Sequence, residues 1–137
     1  MAARFSPLPG AEHVFRRAIV ARDRHQLFAA IGLTHFSAAE ALSQEIVEQA
    51  AMAARHQSGA THALAVLIDL DEGADRIDFG GTIWIGIATA GEVVYRRSRI
   101  LGGRDWVRLG AVELGLDCLR RYLQGLPVVE RIDFEKV

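Results

Sequence analysis

Apolar side chains recur every three or four residues in three stretches of the chain, a spacing that places them on one face of a helix. The first stretch, residues 23–33, predicts a helix of one or two turns. The second predicts an amphipathic helix that begins with the capping box of Ser37 and Glu40 and stops at residues 58–59. The third predicts a long helix from about residue 105 to residue 124.

Four runs rich in apolar and β-branched residues predict strands, at residues 13–22, 61–70, 82–89 and 93–101. The second run is apolar nearly throughout, which favours a central strand covered on both faces. A turn at residues 90–91 makes the last two strands antiparallel neighbours, and three arginines in the last run indicate a sheet edge.

Strands that alternate with helices, together with one hairpin, predict an α/β fold. We expect a three-layer α/β/α sandwich on a mixed, mostly parallel sheet that contains one antiparallel hairpin. Residues 1–137 are expected to form a single domain with an entry loop at 1–12, where two of the three prolines lie. The extra segment 126–137 is expected to form either a late strand or a mobile tail.

The composition is that of one ordinary globular domain, because half of the 137 residues are hydrophobic. Its 16 basic and 17 acidic residues nearly cancel, so no overall field attracts nucleic acid or an anionic membrane. No apolar run approaches the roughly 20 residues that span a bilayer, and no signal-peptide pattern opens the chain. With Cys118 as the single cysteine, these features predict a cytoplasmic protein without membrane or nucleic-acid partners.

Residues 80–108 carry the clearest candidate chemistry: two strands joined by a turn, then a Gly-Gly-Arg-Asp loop that opens the last helix. Gly102 and Gly103 let the backbone approach a ligand, and Arg104 adds a fixed positive charge. The first amides of the helix also favour an anion. An anion site therefore competes with the ordinary alternative, an arginine that is solvated or ion-paired on the surface.

Three segments have the order and spacing of a known family: SGATHALAV at 58–66, GGTIWIGIA at 80–88 and GGRDWVRLGAVELGLDCLRRYL at 102–123. The chain resembles the C-terminal domain of the competence-damage-inducible protein CinA, whose stand-alone relatives are nicotinamide mononucleotide amidases. The resemblance extends from residue 9 to about residue 123.

The resemblance implies a small phosphate-bearing ligand, such as a pyridine nucleotide, with no cofactor and no metal. The ligand-binding residues that it indicates are Gly81, Thr82, Gly103 and Arg104. Possible neighbours of that site are Arg22, Asp23, His25 and Trp106. No catalytic residue is assigned.

The groups that would perform amidase chemistry are altered or lack a counterpart in these 137 residues. The family motif alanine-glutamate-serine-cysteine-threonine-glycine-glycine, which holds the nucleophile, is not found, and we expect the family's first strand and helix to be lacking. The family's tyrosine-serine-asparagine segment falls on residues 22–24, and its glycine-rich loop falls on residues 67–72, here LIDLDE. Acyl transfer needs a nucleophile beside a base, so the resemblance implies a domain that has lost its activity.

The sequence therefore leaves two alternative functions. The first is a CinA-like domain that acts through anion or nucleotide binding or through oligomerisation. The alternative is a functional amidohydrolase on nicotinamide mononucleotide or a related compound, with a nucleophile from upstream residues or another subunit.

Other reactive residues have ordinary structural interpretations. The five carboxylates at residues 69–78 do not follow calcium-loop spacing, so a solvated acidic loop is preferred to a metal site. Cys118 and Trp84 are expected to pack in the core, whereas Trp106 either packs or stacks on a ligand ring. Ser37 is expected to be occupied as a helix cap. The other serines lack an evident acid or base partner; they are Ser6, Ser43, Ser58 and Ser98.

The family's first strand lies between the strands that correspond to residues 13–22 and 61–70. Without it, two rows of backbone groups need partners. Three arrangements would supply these partners: the two strands pair directly, residues 128–134 insert between them, or another chain supplies a strand. The last two arrangements are preferred. We therefore expect a homo-oligomer or a complex with another subunit.

Overall fold

The computed structural model describes residues 1–34, 36, 41–71 and 79–129. Helices and strands alternate only in part along these residues. The helices are α1 (Ala2–Phe5), α2 (Ala11–Val14), α3 (Arg24–Ile31), α4 (Gln44–Ser58) and α5 (Arg104–Leu123). The strands are β1 (Ala63–Leu70), β2 (Gly80–Ala88) and β3 (Val93–Leu101).

The three strands form one antiparallel sheet in the order β1-β2-β3. The register of β1 with β2 ends at Leu70 opposite Gly81, and that of β2 with β3 begins at Gly80 opposite Leu101. Both connections are short, and a short connection between neighbouring strands gives antiparallel pairing, whereas parallel strands need a long crossover. The α/β class and the predicted hairpin are confirmed, but the mostly parallel sheet is wrong.

The predicted strand at residues 13–22 is not formed. Helix α2 ends at Val14, and residues 15–22 belong to no helix or strand. A β-branched run becomes a strand only where a neighbour accepts its hydrogen bonds, and this run pairs with none of the described strands. Among the described strands, β1 therefore lies at a sheet edge instead of in the centre.

The beginning of the chain also differs from the predicted entry loop. Residues 1–12 include α1 and the first part of α2, each four residues long. Two of the three prolines, Pro7 and Pro9, fall between these two helices, where they interrupt no helical hydrogen bond.

The other helices follow their predicted stop signals more closely than their predicted starts. Helix α3 ends at Gly32 with φ of 72°, and α4 ends at Gly59 with φ of 66°, a left-handed conformation that glycine adopts readily. The N-cap of α4 is Ser43, whose hydroxyl accepts a hydrogen bond from the Ile46 amide at 3.3 Å. The prediction that Ser37 opens this helix is therefore wrong, and Ser37 itself lies outside the described residues.

Two hydrophobic clusters take alternate residues of the strands. Leu67 joins the cluster of α3 and α4, whereas Leu64 and Val66 pack against the cluster that includes α5. Cys118 on α5 is fully buried in the second cluster, which confirms its packing role. Among the described residues, no helix is long and apolar enough to cross a membrane.

Candidate functional site

The predicted ligand-binding residues gather at one end of the sheet, where β1 ends, β2 begins and β3 leads into α5. The loop between β3 and α5 is fixed there, because the Gly102 amide donates to the Phe79 carbonyl at 2.7 Å. We call this region the sheet end. Its polar side chains come from all three strands and from the first turn of α3.

A polar row crosses the sheet at this end. The Cα of Thr82 on β2 lies opposite Asp69 on β1 and opposite Arg99 on β3. The Asp69 carboxylate accepts a hydrogen bond from the Arg24 guanidinium at 3.0 Å, so the first turn of α3 is tied to the edge strand. Thr82 is thus flanked by an acidic residue, Asp69, and a cationic one, Arg99, and both of these residues are half-buried.

Asp71 and Arg99 form the best-connected ion pair of the site. The guanidinium of Arg99 donates to both carboxylate oxygens of Asp71, and the Gly80 amide donates to the same carboxylate at 3.1 Å. The Arg99 hydrogen bonds and the Gly80 amide hold the pKa of Asp71 below its ordinary value, against the opposing effect of burial. The carboxylate in turn raises the pKa of Arg99.

This ion pair makes stability depend on pH in the acidic range. The pKa of Asp71 is lower in the folded chain than the value of about 3.9 expected when unfolded. Its contribution is therefore complete above that unfolded value and is lost as pH falls through the lower folded value. Asp71→Asn should destabilise the fold by about 1 kcal/mol at pH 7, and the difference from the unmodified protein should vanish at strongly acidic pH.

Urea unfolding at a series of pH values measures this difference. Asp105→Asn is the control, because the Asp105 side chain is fully exposed and lies 4.0 Å from its nearest basic partner, Arg108. A constant deficit of Asp71→Asn from pH 7 to strong acid would show that the ion pair does not carry the effect.

Gly81 has a packing role that the sequence did not reveal. A Cβ atom at this position would lie 2.8 Å from a methyl group of Val107 on α5 and 3.2 Å from the Asp69 carbonyl oxygen. The glycine therefore allows α5 to approach β2 closely. Its position fits a site residue, but its buried backbone has this sufficient structural reason.

Gly103 and Arg104 stand at the head of α5. Gly103 is the N-cap in an extended conformation and supplies no side-chain hydrogen bond to the first amides of the helix. Arg104 is the first helical residue and is exposed. Trp106 is 53% exposed. A Cβ atom at Gly102 would lie 2.8 Å from Cδ1 of the Trp106 ring, and the φ of 129° at this position also favours glycine.

Of the possible neighbours at residues 22–25, the structure brings a different one to the site. Asp23 accepts the Gln26 amide at 2.8 Å and so acts as the N-cap of α3. Arg22 and His25 are exposed, whereas Arg24 reaches Asp69. The sequence held one signal for the position of Arg24. Asp23 is a typical N-cap residue, and an N-cap at this position places Arg24 in the first turn of α3.

The two tryptophans differ in their surroundings. Trp84 is half-buried and packs against the cluster of α4, which confirms its predicted packing role. The Arg97 guanidinium carbon lies 5.5 Å from the centroid of the Trp84 ring, within the range of a cation–π contact. This pair occupies the row next to Thr82 on the sheet.

The acidic stretch is not simply solvated where it is described. Asp69 and Asp71 are ion-paired with Arg24 and Arg99, so the prediction of a solvated loop is wrong for these two residues. The folded chain brings these carboxylates next to guanidinium groups from distant parts of the sequence. A run of acidic residues in the sequence does not show which partners its members will meet. The remaining acids, Glu72, Asp75 and Asp78, lie outside the described residues. Within the described part of the chain, no group of three or more potential metal ligands is found.

Three serine hydroxyl groups have local structural roles. The Ser6 hydroxyl donates to the Ala2 carbonyl, Ser43 caps α4, and the Ser58 hydroxyl donates to the Arg55 carbonyl. Ser98 is buried in β3. The hydrogen bonds of Ser6, Ser43 and Ser58 are made to backbone groups, so they do not single out a nucleophile among these three serines.

The fold and the sheet end define a small α/β domain with a charged site at the head of its longest helix. The model of the family described as the CinA C-terminal domain matches residues 1–123, and the chain belongs to this family. The resemblance carried by the three sequence segments is thereby confirmed.

Curated relatives agree with this assignment. The chain is 33% identical over 129 residues to a CinA-like protein of Frankia casuarinae, covering 93% of this chain and 30% of the relative. It is 26% identical over 126 residues to a CinA-like protein of Solibacter usitatus, with 89% and 30% covered. The chain therefore spans about a third of the length of the curated relatives that it matches. No solved structure matches it.

Proposed function

We propose that this CinA-family domain has lost amidase activity and acts by binding a small phosphate-bearing ligand, such as a pyridine nucleotide, or by oligomerisation. The observation that carries the proposal is the pair of ionic contacts beside Thr82, between Arg24 and Asp69 and between Arg99 and Asp71. These contacts occupy the position at which the family resemblance places a glycine-rich loop.

The loss of activity follows from what amide hydrolysis requires. A nucleophile must lie within hydrogen-bond reach of a base, and donors must face the oxygen that becomes negative. Residues 67–72 would have to bring glycine amides to the substrate, but Asp69 and Asp71 instead direct their carboxylates to arginine partners.

Binding of an anion has its support at the head of α5. The first amides of this 20-residue helix receive no side-chain cap, and a helix N-terminus favours negative charge. Arg104 adds a guanidinium that matches the geometry of a phosphate, and the exposed ring of Trp106 lies two residues further on. Together, Gly103, Arg104 and Thr82 would hold the phosphate, with Trp106 beside the ring of the nucleotide.

We take the complete fold to be an α/β/α sandwich with α4 and α5 on opposite faces, and the protein to work in the cytoplasm as a homo-oligomer or with another subunit. The alternative function is an active amidohydrolase on nicotinamide mononucleotide or a related compound. It is supported by the family membership and by relatives about three times as long as this chain.

Ammonia release from nicotinamide mononucleotide separates the two functions. We expect the purified protein to release ammonia no faster than the buffer does. Release that rises in proportion to protein concentration and is lost in Thr82→Ala or in Arg104→Ala would establish the amidase instead. The two variants serve as matched controls, because a contaminating hydrolase would not respond to either change.

A further inference from the structure

The carboxylate of Asp71 is held in the way that proteins hold a bound oxyanion. The Arg99 guanidinium donates to both of its oxygens, and the Gly80 amide donates to one of them at 3.1 Å. A guanidinium fork and a backbone amide are both common donors to carboxylate and phosphate ligands. Here the chain itself supplies the anion.

The donors of this arrangement are fixed by the sheet and not by the Asp71 side chain. Arg99 lies on β3, and its Cα is opposite that of Thr82 on β2. Gly80 is the first residue of β2, and it is buried. A buried backbone amide needs a hydrogen-bond acceptor, so the Gly80 amide favours a second anion whenever the Asp71 carboxylate is absent.

The Asp71 side chain, by contrast, leaves this position without any change in the sheet. Asp71 follows the last residue of β1 and belongs to no helix or strand. Its amide donates to the Gly80 carbonyl at 2.8 Å, so rotation about the Cα–Cβ bond moves the carboxylate while the backbone stays in place. The side chains of Arg99 and Asp71 are 34% and 26% exposed, so a dissolved anion has access to the same donors.

The kind of anion follows from the shape and the charge of the arrangement. The present occupant is a carboxylate, and the planar fork of a guanidinium matches its two coplanar oxygens. One guanidinium balances a single negative charge and not the nearly double charge of a phosphate group. Asp69, the other carboxylate of the polar row, accepts a hydrogen bond from Arg24, so its own charge is already balanced. A small carboxylate is therefore the ligand that fits.

We propose that Arg99 and the Gly80 amide form a binding site for a small organic acid, and that Asp71 occupies this site as an intramolecular competitor. The chain keeps the Asp71 carboxylate at a high local concentration. An external acid therefore binds with an affinity reduced by the small fraction of molecules in which the site is empty, so the contact is autoinhibitory. The inference goes beyond the proposed function, because it concerns neither a phosphate nor the head of α5.

Thermal unfolding in sodium formate tests the proposal, with sodium chloride at the same concentration as the reference. Asp71→Ala removes a carboxylate and leaves a space of the size of formate. At pH 7 and several times the dissociation constant, formate should raise the melting temperature of this variant by about 2 to 4 °C above its value in chloride. The unmodified protein should shift by less than about 1 °C under the same conditions, because Asp71 competes with formate.

Two control variants locate the effect at Arg99. Asp71→Ala combined with Arg99→Gln should lose the response to formate, because the guanidinium is gone. Asp105→Ala removes an exposed carboxylate whose basic partner, Arg108, lies 4.0 Å away, and it should show no response.

Equal melting temperatures of Asp71→Ala in formate and in chloride would overturn the inference, and Asp71 and Arg99 would then form an ion pair only. A response that survives Arg99→Gln, or that is equally large in the unmodified protein, would overturn it as well. Asp71→Gly with acetate gives the same test if Asp71→Ala fails to fold. Binding of nicotinamide mononucleotide is measured separately, so a failure of this inference is distinguishable from a failure of the proposed function.

Discussion

Gly86→Ala should lower the free energy of unfolding by about 2 to 3 kcal/mol, a large effect for the addition of one methyl group. Gly86 lies in β2, and helix α4 crosses the sheet directly above it. A Cβ atom at this position would lie 2.7 Å from the backbone carbonyl oxygen of Val47 and 3.3 Å from the Cβ of Ala51. Both Val47 and Ala51 are fully buried between the helix and the sheet, so the added methyl group fits only if α4 moves away from β2.

The obstacle is backbone, which is why no rotamer change relieves it. Moving α4 outward would separate its buried residues from Leu67 and the rest of their cluster. Each such loss leaves a gap in a close-packed interior, with an energetic cost of its own.

Gly91→Ala is the matched control for this prediction. Gly91 lies in the turn between β2 and β3, its φ is not positive, and a Cβ there meets nothing within 4 Å. It should change stability by less than about 0.5 kcal/mol. Thermal unfolding measures both variants, and a midpoint for Gly86→Ala within a degree of the unmodified protein would contradict the close approach of α4 to β2.

Local signals in the sequence predicted much of the fold. Apolar periodicity and glycine stop signals located α3, the end of α4, and α5, and the apolar runs located the three strands found among the described residues. These signals act over a few residues, and these helices and strands form where the signals predict them. The predicted start of the second helix at Ser37 was wrong, because α4 begins at Gln44 and Ser43 provides the hydroxyl that caps it.

The sheet topology was harder to predict, because pairing depends on what lies beside a strand in space. Residues 13–22 have strand composition but no neighbour among the described strands, and the expected parallel sheet failed with them. The contacts of Arg24 and Arg99 were missed for a similar reason. Each joins residues at least 28 positions apart, which only the strand register brings together.

Arg104→Glu should weaken the binding of nicotinamide mononucleotide by about 10- to 100-fold, the loss expected for a charge-assisted hydrogen bond to phosphate. The change replaces a guanidinium at the head of α5 with a carboxylate that repels the ligand. Arg120→Glu makes the same change of net charge in the last turn of α5, where the side chain is half-exposed. It should leave the affinity nearly unchanged, because screening weakens charge effects over the length of the helix.

Isothermal titration of the unmodified protein with nicotinamide mononucleotide tests the proposed anion site most directly, with nicotinamide riboside as the ligand that lacks the phosphate. We predict saturable binding of the mononucleotide, much weaker binding of the riboside, and loss of affinity in Arg104→Glu but not in Arg120→Glu. Equal affinity for the two ligands, or equal affinity of both variants for the mononucleotide, would contradict a phosphate site at the head of α5.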